Sequence, residues 1–343
     1  MNELVSAIQR NCDISDAHHA GNATMCIYLL RMREHYKWQN GTPCGESFDH
    51  KLLGKWIEER ECYLSTLEDS DYTAITLNGV AHDPFDQTGI NRNLAGQSLI
   101  YCAGYGRRGK PVFCLGEIER TQSTAEYDMF VIGKEYAREM SAPAAMSLVS
   151  TIYVRQDAFA RTVWEMYEEW SWQKPYNAFY KAISSALDVD DPQEATHALA
   201  SSEVENLMLH EIGEVAAGKS LGDGWGEMLH CLTCTRQEVT ARAVRDHLAD
   251  SISVLPSIVS SGNAPSIHFY FAGFHASRAE MYPSLKKAYD IWDKTQDLGP
   301  LQAVVRRGRE HWLQTAREMM SCYDQYGQRC GPYVQRVAES SFL

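Results

Sequence analysis

Apolar positions follow two different periods along the chain, and the change between them predicts where helices and strands lie. Apolar residues recur every three or four positions in 23–38 and in 49–67, which predicts two amphipathic helices. Between 72 and 133 the pattern becomes short β-branched and aromatic runs, such as SLIYCAGY and YDMFVIG, separated by Gly, Pro, Asn and Asp. These runs predict a small antiparallel sheet. The KEYARE segment that follows, 134–139, predicts a short helix.

Beyond the predicted sheet, the helical period returns. The segment SAPAA at 141–145 is rich in small residues and Pro, so it predicts a joint between domains. Long amphipathic patterns follow at 158–172 and 236–255. The predicted fold class is therefore α+β, predominantly α-helical. We expect N-terminal helices with a small antiparallel sheet in a domain over 1–143, then an all-α domain over 144–343.

The segment 201–225, SSEVENLMLHEIGEVAAGKSLGDGW, has two incompatible interpretations. As a helix, it would begin at a capping box formed by Ser202 and Glu205 and would end near Gly218. As a loop, 213–220 matches GxxxxGK[ST], the phosphate-binding P-loop, which requires a buried strand in front of it. The capping box argues against that strand, so the helix is favoured.

The helical interpretation places metal-binding side chains on one face. Glu203, His210 and Glu214 are seven and four residues apart, so they project from the same side of a helix. Glu211 is the next residue after His210, so it projects from the adjacent side of the helix. Imidazole and carboxylate groups bind zinc and non-haem iron, although a solvated acidic face is the alternative. Two turns of one helix cannot complete a coordination shell, so further ligands are expected elsewhere.

The predicted helix 236–255 and the aromatic run SIHFYFAGF at 266–274 offer such ligands. Asp246 and Asp250 lie on one stripe of the helix, which also suits an ion-pair ladder. His268 is either a final ligand in a dry pocket or a core residue. The predicted metal ligands are Glu203, His210, Glu214, Asp250 and His268, and the predicted acid–base residues are Glu211 and Asp246.

Three classes of function fit this set of residues. A carboxylate-rich site favours iron, with manganese and zinc as alternatives, and an aromatic pocket suits oxidation, so we first expect a metal-dependent oxidoreductase. The second class is a metal-dependent phosphohydrolase, in which the ion lowers the pKa of a bound water and Glu211 or Asp246 accepts its proton. The third is a non-catalytic helical scaffold or assembly factor whose acidic face binds a basic partner.

Composition narrows the choice of partners. The 343 residues carry a net charge of −13, which argues against nucleic acid and against an anionic membrane surface. No stretch approaches the roughly 20 apolar residues that span a bilayer, and the N-terminus lacks the basic start and apolar run of a signal peptide. We therefore expect a cytoplasmic protein with reduced thiols and a small-molecule substrate. A homo-oligomer is compatible with the sequence.

Several motifs together resemble those of a known family. They are DPFD at 83–86, YCAGYGRRGKPVFCLGE at 101–117, HEIGEVAAGKSLG at 210–222, RAVRDHLAD at 242–250 and SIHFYFAGF at 266–274. Over nearly its whole length the chain resembles an uncharacterised bacterial protein family, a domain of unknown function with a central HE-x-GE motif. The resemblance implies no assigned activity. It also implies that the Lys of the P-loop match is not required.

Overall fold

A computed structural model gives the fold of the chain. It describes residues 1–46, 48–106, 109–148, 150–186 and 191–343. The chain divides into two compact units, the first unit Met1–Glu165 and the second unit Met166–Leu343. This division lies later in the chain than the joint predicted at 141–145, since two strands that follow the joint pair within the sheet of the first unit.

The first unit contains four α-helices before the strands of its larger sheet. They are α1 Asn2–His19, α2 Met25–Gln39, α3 His50–Ser65 and α4 Gln87–Leu94. Helices α2 and α3 confirm that both predicted segments are helical, but apolar residues of the predicted faces, such as Ile27, Leu30 and Leu52, are exposed. The carboxylate of Asp49 accepts the N–H of Lys51, which fixes the start of α3.

Seven strands form two sheets in the first unit. They are β1 Ile75–Leu77, β2 Val80–His82, β3 Leu99–Tyr105, β4 Pro111–Ser123, β5 Asp128–Arg138, β6 Ala145–Leu148 and β7 Thr151–Arg155. Strands β1 and β2 form a small antiparallel sheet. The larger sheet has the order β3-β4-β5-β7-β6 and is mixed, because β5 and β7 run parallel. Helix α1 packs on it through Ile8 and Cys12.

The short helix predicted for KEYARE is wrong, because these residues continue β5 as far as Arg138. Glu135 and Ala137 pair with Gly116 and Leu115 of β4. Helix propensity favours Lys, Glu and Ala, but it is worth only tenths of a kcal/mol per residue. Pairing within the sheet and burial of the charged side chains against arginines therefore decide the conformation.

The second unit is helical throughout its described residues. Helix α5 Gln156–Ser171 crosses the division between units and is followed by α6 Ala178–Ala186, α7 Pro192–Leu221, α8 Gly224–Cys231, α9 Thr235–Ile252, α10 Val254–Ser261, α11 Ala264–Ala272, α12 Ala276–Met281, α13 Pro283–Thr295, α14 Gly299–Tyr326 and α15 Gly331–Ser340. Helix α9 packs against both α7 and α14, around fully buried residues such as Val244, Leu255 and Trp312. None of the described helices of the chain is long and apolar enough to cross a membrane.

Helix α7 confirms the helical interpretation of the central segment, but its predicted start is wrong. The helix begins at Pro192, where the carboxylate of Asp191 accepts the first free N–H groups. Ser202 lies inside the helix, and its Oγ donates to the carbonyl oxygen of Leu199. The capping-box spacing therefore occurs here within a continuous helix, because a stronger Asp-Pro start precedes it.

The P-loop interpretation of 213–220 is also wrong. All of these residues lie within α7, which continues to Leu221 and ends at Gly222 with a positive φ of 74°. A P-loop needs a strand, an open glycine loop and a new helix whose first N–H groups meet the phosphate. Inside a helix these N–H groups bond to carbonyl oxygens of the preceding turn.

Candidate metal centre

A glycine brings the two helices of the candidate site close together. Gly213 of α7 lies against α9, where an added Cβ would overlap the carbonyl oxygen of Ala249 and the Oγ of Ser253. Only glycine allows this approach without displacing a backbone. The contacts His210 to Asp250 and Glu214 to Arg245 show that the two helices run antiparallel.

This packing brings three ligand-type side chains together. One ligand atom from each of His210, Glu214 and Asp246 lies within 4.8 Å of the other two. His210 and Glu214 come from successive turns of α7, and Asp246 comes from the facing turn of α9. All three residues are partly exposed. The group combines one imidazole nitrogen with two carboxylates.

Asp250 is a buried residue that contacts this group through His210. Its side chain is only 2% exposed, and its Oδ1 accepts a hydrogen bond from Nδ1 of His210 at 2.7 Å. Its Oδ2 accepts from the hydroxyl of Tyr270 at 2.8 Å and from Nη2 of Arg278. A carboxylate bonded to one ring nitrogen fixes the orientation of an imidazole and leaves Nε2 free to bind a metal.

Electrostatics in this cluster favour a cation between the acids. Burial alone would lower the pKa of His210, but Asp250, Glu211 and Glu214 together raise it to about 10. For Asp250, burial acts to raise the pKa, yet Arg278 and His210 hold it well below its usual range. The His210 ring is therefore protonated at neutral pH. A bound metal would replace that proton with a larger positive charge.

Two arginines flank the group. Arg245 donates from Nη2 to Oε2 of Glu214 at 2.7 Å. Arg278, from α12, donates to Asp250 and stacks over Tyr270 and Phe274, with its Cζ 5.7 and 5.8 Å from the ring centroids. Stacked and bonded guanidinium groups are held in fixed orientations. Periodicity on α7 and α9 gave no signal for Arg278, because it comes from a separate short helix.

The predicted site residues divide into those near His210 and those elsewhere. Asp246, predicted as an acid–base residue, belongs to the converging group, whereas Asp250, predicted as a ligand, holds the imidazole. Glu211 is buried on α7 beside them, at 6% exposure. The group of possible ligands found among the described residues does not include Glu203 or His268.

Glu203 and His268 have their own partners in the second unit. Glu203 accepts from the Oγ of Ser266 at 2.6 Å and from the Nδ2 of Asn206 at 2.7 Å. Nδ1 of His268 lies 2.9 Å from the hydroxyl of Tyr289, and the ring packs on aromatic neighbours. Both side chains are buried and hydrogen-bonded, which suits residues of a packed helical core.

Comparison with known proteins assigns the chain to a family. The sheets of the first unit and the helical second unit, with its His and carboxylate group, define an α+β protein with a candidate metal centre. Residues 3–155 match the N-terminal domain, and residues 160–341 the C-terminal domain, of a family of unknown function, DUF6866. The chain belongs to this family, as the resemblance in its motifs indicated. No curated protein and no solved structure matches it.

Proposed function

We propose that this protein is a metal-dependent enzyme that binds one divalent cation through His210, Glu214 and Asp246. The observation that supports the proposal is the approach of their ligand atoms to within 4.8 Å of one another. Two carboxylates and an imidazole held this close repel or compete unless a proton or a metal lies between them. The bond from Asp250 to the imidazole is the supporting contact that metal-binding histidines usually have.

Iron is the metal that we favour, with manganese as the first alternative. A nitrogen and two carboxylate oxygens form a hard, oxygen-rich donor set without thiolate, which favours iron or manganese over structural zinc. Three protein ligands leave coordination positions open for substrate, as catalytic sites require. We therefore favour an oxidoreductase acting on a small molecule, with Glu211 and Asp250 orienting the ligands.

A metal-dependent phosphohydrolase is the second candidate. It is supported by Arg245 and Arg278, which stand beside the carboxylates of Glu214 and Asp250. Guanidinium groups at a metal site suit a phosphate, because they bind its oxygens while the metal polarises them. In this case the ion would lower the pKa of a bound water.

The test is reconstitution of metal-free protein with Fe(II), Mn(II) or Zn(II), followed by calorimetry and turnover assays. We expect one ion to bind stoichiometrically in the parent and in His197→Ala, which changes an exposed residue of the same helix. His210→Ala and Glu214→Gln should lose that binding. Oxygen consumption by the iron form supports the oxidoreductase, and hydrolysis of p-nitrophenyl phosphate supports the second candidate. Equal binding in parent and His210→Ala would overturn both proposals.

A further inference from the structure

Three sulfur-containing side chains lie together on one face of the larger sheet in the first unit. Cys102 of β3 and Cys114 of β4 are directly opposed, so both side chains project from the same face. Sγ of Cys102 lies 3.7 Å from Sδ of Met146, which comes from β6. All three residues pack in one apolar cluster that includes Ile132 and Tyr153. The sheet thus gathers two thiols and a thioether.

Curling of the sheet brings the third sulfur to the other two. Strands β3 and β6 are the opposite edges of the sheet in its order β3-β4-β5-β7-β6. The two edges nevertheless approach each other, since a Cβ added to Gly104 of β3 would lie 2.6 Å from a methyl carbon of Leu148 of β6. Glycine permits this close approach two residues along β3 from Cys102. Met146 of β6 therefore contacts Cys102 across the curl of the sheet.

The spacing of these sulfurs suits a bound ion. Sulfur ligands stand about 2.3 Å from a metal, so two of them lie about 3.8–4.0 Å apart at tetrahedral or trigonal angles. The 3.7 Å contact, in which the thiol of Cys102 donates to the thioether of Met146, is close to that spacing. The Cα atoms of directly opposed residues are about 4.5–5.5 Å apart, which allows the thiol of Cys114 to turn toward the same point.

Binding of an ion here is linked to loss of a proton. A hydrogen bond with Cys114, and then burial, raise the pKa of the Cys102 thiol well above its ordinary value. The charge of Arg155, which is also fully buried, acts in the opposite direction. A metal bound to Cys102 displaces the thiol proton to solvent, so we expect the affinity to rise with pH.

We propose that Cys102, Cys114 and Met146 form a binding site for copper(I). Thiolate and thioether sulfurs are soft ligands, and a set that contains both favours copper(I). Among the described residues, no His, Asp or Glu joins Cys102 and Cys114 in a group of ligand atoms within 4.8 Å of one another. Zinc takes four ligands in closed sites, so three sulfurs suit it poorly. The donor set also differs from the nitrogen and carboxylate oxygens of the candidate metal centre.

Met146 marks the entrance of the site. The residue is half-buried, whereas Cys102 and Cys114 are both 0% exposed. A copper(I) ion therefore reaches the two thiols past the thioether. Because the thioether carries no proton, it binds the ion at any pH, and its loss should weaken binding without changing the number of protons released.

The test is anaerobic titration of reduced, full-length protein with copper(I) against the chromogenic chelator bathocuproine disulfonate. Cys231 and Cys234, which are at least partly exposed, also offer two thiolates, so both are changed to Ser in a reference protein. We expect the reference protein to retain one copper(I) against the chelator. Cys114→Ala in this background should lose the ion. Cys12→Ala should keep it, because Cys12 is equally buried but packs on the opposite face of the sheet, where its Sγ donates to the carbonyl oxygen of Phe113.

Two outcomes of this titration would overturn the proposal. One is equal retention of copper(I) by Cys114→Ala and Cys12→Ala, and the other is no retention by the reference protein. Either result would leave Cys102 and Cys114 as residues of the apolar core. Adding His210→Ala to the reference protein should leave copper(I) binding unchanged, which separates this site from the candidate metal centre.

Met146→Leu provides a second measurement if Cys114→Ala does not fold. The change nearly conserves volume, so the variant should fold. It should bind copper(I) at least about tenfold more weakly, which corresponds to about 1.4 kcal/mol. X-ray absorption of copper-loaded protein grown with selenomethionine should show a copper–selenium bond in the reference protein and none in Met146→Leu. The same result in both proteins would contradict binding by Met146.

Discussion

The two units both gather charged side chains, but they neutralise them differently. In the first unit each buried acid faces a guanidinium or ammonium group of the chain itself. In the second unit Arg245 and Arg278 pair with Glu214 and Asp250, but ligand atoms of His210, Glu214 and Asp246 also approach one another at a partly exposed position. Buried ion pairs complete a structure, whereas a partly exposed group of two carboxylates and an imidazole offers ligand atoms to a further cation. This difference separates a charge network of the fold from a candidate catalytic site.

The largest expected effect comes from breaking the network of the first unit. Arg155→Met should destabilise that unit by about 3–5 kcal/mol, because Glu139 would remain buried without its cationic partner and Glu135 would keep only Arg138. Hydrogen-exchange mass spectrometry of peptides from 1–165, in increasing urea, measures the loss. Metal binding to the second unit should be unaffected in whatever protein remains folded.

The control for that variant is Arg236→Met. Arg236 pairs with Glu339, but its side chain is 74% exposed. Solvent screens such a pair, so we expect a change below about 1 kcal/mol. Equal destabilisation by the two variants would contradict the distinction between buried and exposed pairs.

In the second unit, Asp250→Asn should reduce metal affinity by about 10–100-fold. The variant removes the negative charge that orients His210 while leaving His210, Glu214 and Asp246 in place. Titration of metal-free protein measures the effect. Glu203→Gln is the matched control on the same helix, and it should bind metal as the parent does, since Glu203 bonds to Ser266 and Asn206. A larger loss in Glu203→Gln than in Asp250→Asn would show that Glu203 is a ligand.

Changing the spacing of α7 and α9 gives a smaller effect. Gly213→Ala forces the helices apart at Ala249 and should destabilise the second unit by about 1–3 kcal/mol and weaken metal binding. Gly218→Ala, where nothing lies within 4 Å of an added Cβ, should stabilise α7 by up to about 1 kcal/mol. Urea unfolding and metal titration of both variants test this. A neutral Gly213→Ala would show that close packing does not build the site.

Acid should destabilise the first unit through His35. Burial, and then the charges of Arg60 and Arg138, hold the pKa of this ring well below its ordinary value. The unfolded chain therefore binds a proton that the folded chain does not, and stability falls as pH drops below about 6.5, by at most about 1.4 kcal/mol per pH unit for this group. Urea unfolding across this range should show a shallower pH slope for His35→Phe. An unchanged slope would rule out His35 as the source.

Helices were predictable from sequence because apolar residues recur at helical spacing, although Ile27 and Leu30 of α2 and Leu52 of α3 are exposed. The spacing located α2, α3 and α9 to within a few residues. The start of α7 was missed because Ser202 and Glu205 have the spacing of a capping box inside a helix. The end of β5 was missed because the local helix propensity of KEYARE does not reveal its pairing with β4.

The sequence predicted which face of α7 and which face of α9 carry the candidate site, but it did not predict which residues of the two faces come together. His210 and Glu214 share a face of α7, and Asp246 and Asp250 share a face of α9. Which aspartate joins the converging group depends on how far the helices are offset, and the contact at Gly213 sets that offset. Arg278 reaches the cluster from α12, so no local pattern could include it.

The most direct test of the metal centre is the metal content of protein purified without a His-tag, for the parent, His210→Ala and His197→Ala. We predict near-stoichiometric iron or manganese in the parent and in His197→Ala, and its loss in His210→Ala. The same content in all three proteins, or none in any after growth with each ion, would contradict a metal site at His210, Glu214 and Asp246.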